Sequence, residues 1–138
     1  MNKEYLDKLV AFFREKDQFA THNNIEVLWV REGSAKVQLK VDEQHLNAAK
    51  IAHGGLVFSL ADFAMGLAAH SHGRMAVTLG ADISYFSPGK MGSVISATAE
   101  ELSLRKSIAS YLVSVNDEEG NLLATMKCQA FRKGELVI

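Results

Sequence analysis

The chain has 138 residues, 48% of them hydrophobic and 22% charged, which is enough for one domain over 1–138 with its own core. A formal net charge of −1 argues against a general nucleic-acid binder, which would carry a basic face. The single cysteine, Cys128, leaves no internal disulfide; the start of the chain lacks a signal-peptide core, and no run reaches the roughly 18 apolar residues of a membrane span, so the expected location is cytoplasmic.

Residues 3–18 place Leu6, Leu9, Val10, Phe12 and Phe13 at helical spacing among charges and predict an amphipathic N-terminal helix. Ile25–Arg31 and Ala35–Val41 read as strands joined by the Glu32-Gly33-Ser34 turn, a hairpin. A polar connection from Asp42 to Ala52 leads into a helix over about 54–71, apolar on every side and closed by His70-Ser71-His72-Gly73. The two histidines there read as an exposed helix end. Strands follow over Val77–Phe86, Val94–Leu104, Ile108–Val115 and Leu122–Arg132, separated by Ser87-Pro88-Gly89-Lys90 and by Asn116–Asn121. Cys128 falls in the last of them as a small core residue, and the methionines read as core filler. A helix apolar all round must be wrapped, so the predicted class is α+β: a curved six-stranded antiparallel sheet around a long central helix.

Asp62 is the informative residue. It interrupts the apolar helix, and burying an unpaired carboxylate costs roughly several kcal/mol or shifts its titration, so its presence points to use. His53-Gly54-Gly55 opens the same helix, where bare N–H groups and the positive end of the helix dipole suit negative charge on oxygen. An acid/base group with an oxyanion binder suggests acyl chemistry. Gly54 and Asp62 are eight residues apart, about 12 Å along a helix, whereas both must lie within roughly 3 Å of one carbonyl. Two helices antiparallel about a two-fold axis would bring Asp62 of one chain to Gly54 of the other. An obligate homodimer with its sites at the interface is therefore expected.

Asn47-Ala48-Ala49-Lys50-Ile51-Ala52-His53-Gly54-Gly55 with Leu60-Ala61-Asp62, continuing through Ala76–Lys90, Arg105–Ala109 and Asp117–Gly120, resembles the hotdog-fold acyl-CoA thioesterases of the phenylacetic-acid-degradation type. The resemblance spans roughly residues 22–133. It implies a sheet wrapped around a central helix, homodimers and dimers of dimers, and hydrolysis of an acyl-CoA thioester to a carboxylate and coenzyme A. No metal or redox cofactor is implied; coenzyme A is part of the substrate. In such enzymes the aspartate matching Asp62 is general base or nucleophile, and the N–H matching Gly54 polarises the carbonyl. Residues matching Asn47 and His53 belong to the glycine's half of the site, and a hydroxyl matching Thr78 helps to place water. Lys50 departs from the glycine that many relatives carry.

Each of these residues also has a plainer use. Asn47 fits a turn, His53 a loop hydrogen bond, Thr78 a strand with good β propensity, and Gly55 close packing. Ser59 has no base beside it and reads as a backbone-bonded helix serine. Ser87 and Lys90, at the turn after the first post-helix strand, are candidates for substrate binding, Lys90 for the phosphates of coenzyme A. Phe58, Phe63, Met65, Tyr85 and Phe86 are candidates for an acyl pocket. Two other classes fit the architecture: a non-hydrolytic acyl-CoA-binding module, which would not need Asp62, and an acyl-thioester dehydratase or hydratase, which would need proton transfer at carbon.

Overall fold

The computed structural model describes residues 3–138. In chain order the elements are α1 (Lys3–Lys16), α2 (Gln18–His22), β1 (Glu26–Arg31), β2 (Ser34–Lys40), a 3-10 turn at Glu43–His45, α3 (Gly54–His70), β3 (Arg74–Tyr85), β4 (Val94–Leu104), β5 (Ile108–Asp117) and β6 (Leu122–Leu136). The six strands form one antiparallel sheet in the order β1-β2-β4-β5-β6-β3. Helix α3 touches every strand, so the sheet curls about it as the hotdog resemblance implies.

Period-two patterning explains which face of the sheet meets the helix. Ala35, Val37 and Leu39 of β2, Ile95, Ala97 and Ala99 of β4, and Ala109, Tyr111, Val113 and Val115 of β5 all point inward and are buried. Alternating residues share a face of a strand. Many of these are alanines, so the sheet approaches closely a helix whose own facing residues include Leu60, Ala61, Ala64, Leu67 and Ala68, each 0% exposed.

The N-terminal segment is two helices rather than the single one expected over 3–18. Asp17 turns extended and accepts a hydrogen bond from the Ala20 amide, capping α2; a capping carboxylate starts a helix and so ends the one before it. α1 lays Leu9 into the core, with Phe13 edge-on to Phe63 and 5.1 Å from the His70 ring. The histidines of the α3 end are not exposed, contrary to the sequence reading. His70 is buried, and His72 lies 2.6 Å from Glu101 with 9% of its side chain accessible. β3 begins at Arg74, ahead of the expected Val77, because its guanidinium is bonded to the carbonyls of Lys106, Arg132 and Lys133. β6 correspondingly runs on to pair Leu136 with Arg74.

A further departure concerns the long face of α3. The sheet does not wrap this helix on every side: Gly55 is exposed, and Phe58, Ser59, Asp62, Phe63 and Gly66 are only half-buried. Residues three, four and seven apart share one helix face, so these form one open stripe with Asp62 at its middle. β3 runs beside the stripe as the free edge of the sheet. It exposes Val77, Leu79 and Tyr85 at 44%, 55% and 51%.

Candidate active site

The segment before α3 is stapled from several directions. His45 is buried; its Nδ1 accepts from the Asp42 amide, and its carbonyl receives the His53 amide. The Asn47 side-chain oxygen accepts from the amides of Ala49 and Ile51, which gives Asn47 the turn role. Lys50 sits at φ +62, the left-handed region. A side chain is strained there and glycine is not, which fits the glycine that the resemblance implies at this place. The Ala52 amide donates to the Gly89 carbonyl, and a Cβ at Gly89 would come within 3.1 Å of the Ala52 methyl. The loop is thus held against the β3–β4 turn.

That stapling fixes the first turn of α3. His53 is the N-cap, and its Nδ1 accepts from the Gly55 amide at 2.9 Å. The His53 carbonyl accepts from the amides of Leu56 and Val57. The four amides that open a helix have no partner within it, and three of these four are thereby satisfied. The Gly54 N–H alone has no partner among the described residues. It points out of the positive end of a 17-residue helix, a donor suited to an oxyanion.

Gly54 opens onto a cleft of about 400 Å³ that Asn47, Ala52, Tyr85, Phe86 and Ser87 also line. The structure therefore gathers Asn47, Gly54 and Ser87, with His53 and Gly55 at the edge of the group through their shared hydrogen bond. Lys90 does not line this cleft; with Ser87 it borders a neighbouring one shared with Asp117, Glu118 and Glu119. The carboxyl of Asp117 is held below its ordinary value, chiefly by the Asn121 amide and least by the charge of Lys90.

Asp62 forms a second group. Thr78 on β3 donates its hydroxyl to Asp62 Oδ1 at 2.7 Å. Burial pushes the thiol of Cys128 up to about 12, with the negative charge of Asp62 adding to the effect, so Cys128 is a protonated core residue rather than a nucleophile. Ser59 donates to the Gly55 carbonyl at 2.8 Å, the backbone-bonded role expected of it. Within the chain the two groups stay apart because one helix carries both Gly54 and Asp62.

One contact had no sequence signal. The Tyr85 hydroxyl donates to the Gly54 carbonyl at 2.8 Å. Tyr85 reads in the sequence as an apolar wall, and nothing in a strand pattern reveals where a phenol tip ends.

Residues 49–124 match the family model of the thioesterase superfamily. The chain belongs to the thioesterase superfamily. The matched range holds Gly54, Asp62, Thr78, Ser87 and Lys90, with Asn47 just ahead of it. Among superfamily relatives, the acyl-coenzyme A thioesterase PaaI of Escherichia coli is 32% identical over 120 residues, 87% of this chain and 86% of that protein. The solved structure of the E. coli PaaI protein from the phenylacetic acid degradation operon superposes with a TM-score of 0.93 at 28% identity, covering 96% of each chain. A hypothetical thioesterase of Streptococcus pneumoniae solved with coenzyme A gives 0.84 at 28% identity, covering 90% of this chain and 98% of that one. The six-stranded sheet around α3 is thus the hotdog fold of PaaI-like thioesterases. No helix of the described residues is long and apolar enough to cross a membrane.

Proposed function

We propose that the protein hydrolyses an acyl-CoA thioester to a carboxylic acid and coenzyme A, at sites shared by two subunits. The observation that carries the reading is the division of the chemistry along α3: a carboxylate held by Thr78 at mid-helix, and an unpartnered Gly54 amide at its start. Both are needed at one carbonyl. The open stripe of α3 and the free edge of β3 lie side by side, joined by the Thr78–Asp62 and Tyr85–Gly54 bonds. An edge strand with exposed apolar residues is a ready surface for another chain. A second copy related by a two-fold axis would cover both features together and bring its Gly54 to this Asp62. The resemblance extends that assembly to a dimer of dimers.

In this mechanism the thioester carbonyl oxygen accepts the Gly54 N–H. As the carbonyl carbon becomes tetrahedral, negative charge grows on that oxygen. The amide and the helix dipole then stabilise the transition state more than the substrate. As general base, Asp62 takes a proton from the water whose oxygen bonds to the acyl carbon, the carbon–sulfur bond breaks, and that proton passes to the leaving thiolate. As nucleophile, Asp62 bonds to the acyl carbon and expels the thiolate; water then opens the resulting anhydride, releasing the acid and leaving a proton on Asp62 that passes to the thiolate. The Thr78 hydroxyl fixes the carboxylate's rotamer. His53 and Asn47 hold the donor amide through the loop, and the cleft with Ser87, with Lys90 beyond it, is offered to the coenzyme A arm. Nothing in these steps requires a metal or redox cofactor.

The reading is tested by release of free thiol from aliphatic and aromatic acyl-CoAs. Asp62→Asn, nearly isosteric, is expected to lower kcat by about 10²-fold or more, the scale of a deleted acid/base group, with an unchanged melting temperature. An Asp62→Asn enzyme that turns over at the native rate would dismiss the mechanism, and tight binding without turnover by the native protein would favour a binding module instead.

A further inference from the structure

We infer that Tyr85 is a positioning residue for the oxyanion donor, its hydroxyl locking the peptide next to the Gly54 amide; the inference rests on the reading of Gly54 given above. Gly54 has no side chain, so nothing in its own chemistry restrains rotation about its two backbone bonds. Its neighbours must supply the restraint. The two peptide groups flanking it contain four polar atoms. The His53 carbonyl accepts from Leu56 and Val57, and the Gly55 amide donates to His53 Nδ1. The Gly54 carbonyl receives the Tyr85 hydroxyl at 2.8 Å. Only the fourth atom, the Gly54 N–H, is left for a substrate.

Each of the other restraints comes from within the same turn of chain, where one motion carries donor and acceptor together. Tyr85 is the one that comes from outside. It lies at the end of β3, thirty-one residues on, and ties the helix start to the sheet. Its ring also lies against the glycine, since a Cβ there would meet the Tyr85 hydroxyl at 3.4 Å and ring carbon Cζ at 3.5 Å. Burial raises the Tyr85 phenol above its ordinary value, so it stays a donor throughout the neutral range. The same strand carries Thr78, which holds Asp62. One strand therefore holds both halves of the catalytic apparatus of its subunit by side-chain hydroxyls. A donor frozen before charge develops needs no reorganisation in the transition state, which is where such a restraint acts.

The test is steady-state hydrolysis of an acyl-CoA that the native enzyme turns over, comparing Tyr85→Phe and Tyr85→Leu. Tyr85→Phe keeps the ring and removes only the hydroxyl. Its kcat is expected to fall about three- to tenfold, the range of one hydrogen bond, while KM and melting temperature stay at native values. Tyr85→Leu should lose the same factor in kcat and also raise KM, because the ring walls the cleft. A Tyr85→Phe enzyme with native kcat overturns the proposal, as does a loss seen in Tyr85→Leu only. A native protein that hydrolyses no acyl-CoA would instead sink the reading of the site, a separate outcome.

Discussion

Thr78 shows how much one hydroxyl is asked to do. Asp62 is half-buried on an apolar helix, where the Thr78 hydrogen bond at 2.7 Å is the one side-chain bond made to its carboxylate among the described residues. Hydrogen bonds to charged groups contribute about 1.5–3 kcal/mol. Thr78→Val keeps the shape and β propensity and deletes the donor. It should lower kcat/KM roughly ten- to a hundredfold, with stability within about 1 kcal/mol of native; thiol release and thermal melting check both. An unchanged rate would show that the orientation of Asp62 does not depend on this hydroxyl. At this scale sequence reading works well where chemistry is out of place. Asp62 stands out because a carboxylate does not belong on a greasy helix, and Gly54 because a helix start with Gly-Gly leaves amides bare. Lys50 marked an irregular loop position, whose left-handed backbone would suit glycine better than lysine. Tyr85 gave no such sign, because a tyrosine suits an edge strand whatever its hydroxyl touches.

The elements themselves were legible through periodicity. Alternation located all six strands, and β4 begins and ends where the pattern does. What periodicity missed were boundaries set by hydrogen bonds: a local cap, Asp17 at the start of α2, and a long-range anchor, Arg74 at the start of β3. It also misjudged the end of α3, because burial of His70 depends on α1, far off in sequence. The Ala76 amide donates to His70 Nε2, so Nδ1 carries the proton and donates to the Gly66 carbonyl. Both nitrogens are thereby satisfied in the neutral ring. A second proton would oppose the Ala76 amide and sit among Phe13 and the Met75 sulfur. Burial accordingly lowers the titration of His70 below the ordinary 6.5, though the Gly66 carbonyl pulls the other way. The unfolded chain then binds this proton more readily than the folded one. The contribution of His70 is fully present above 6.5 and is lost as the pH falls from there toward the lowered folded value. Melting temperature followed from about pH 8 to about pH 5 should drop on the acid side, and His70→Gln should flatten that part of the slope. Equal slopes in the two proteins would show that the ring does not carry the effect.

For the whole molecule the decisive question is whether the proposed site takes its two halves from one chain or from two. In one chain the Gly54 amide and the Asp62 carboxylate are fixed by the same helix about 12 Å apart, so neither can be supplied by a flexible loop. The small residues of the open stripe, Gly55, Ser59 and Gly66, hid that opening from sequence, since they break no apolar pattern yet would leave room for another helix. Two damaged chains test the sharing directly. Asp62→Asn removes one half. Gly54→Pro removes the other, because proline has no N–H, suits the first position of a helix, and follows a His53 at φ −60, ψ 136, the extended backbone that proline asks of its predecessor. Each variant alone should be nearly inactive. A mixed dimer, made by co-expression under two affinity tags, would combine Asp62 of the proline chain with the Gly54 amide of the asparagine chain. It holds one whole site and one doubly damaged site, and should recover about half of native activity. Were each site built within one subunit, the mixed dimer would contain no intact site and would be as inactive as its parents.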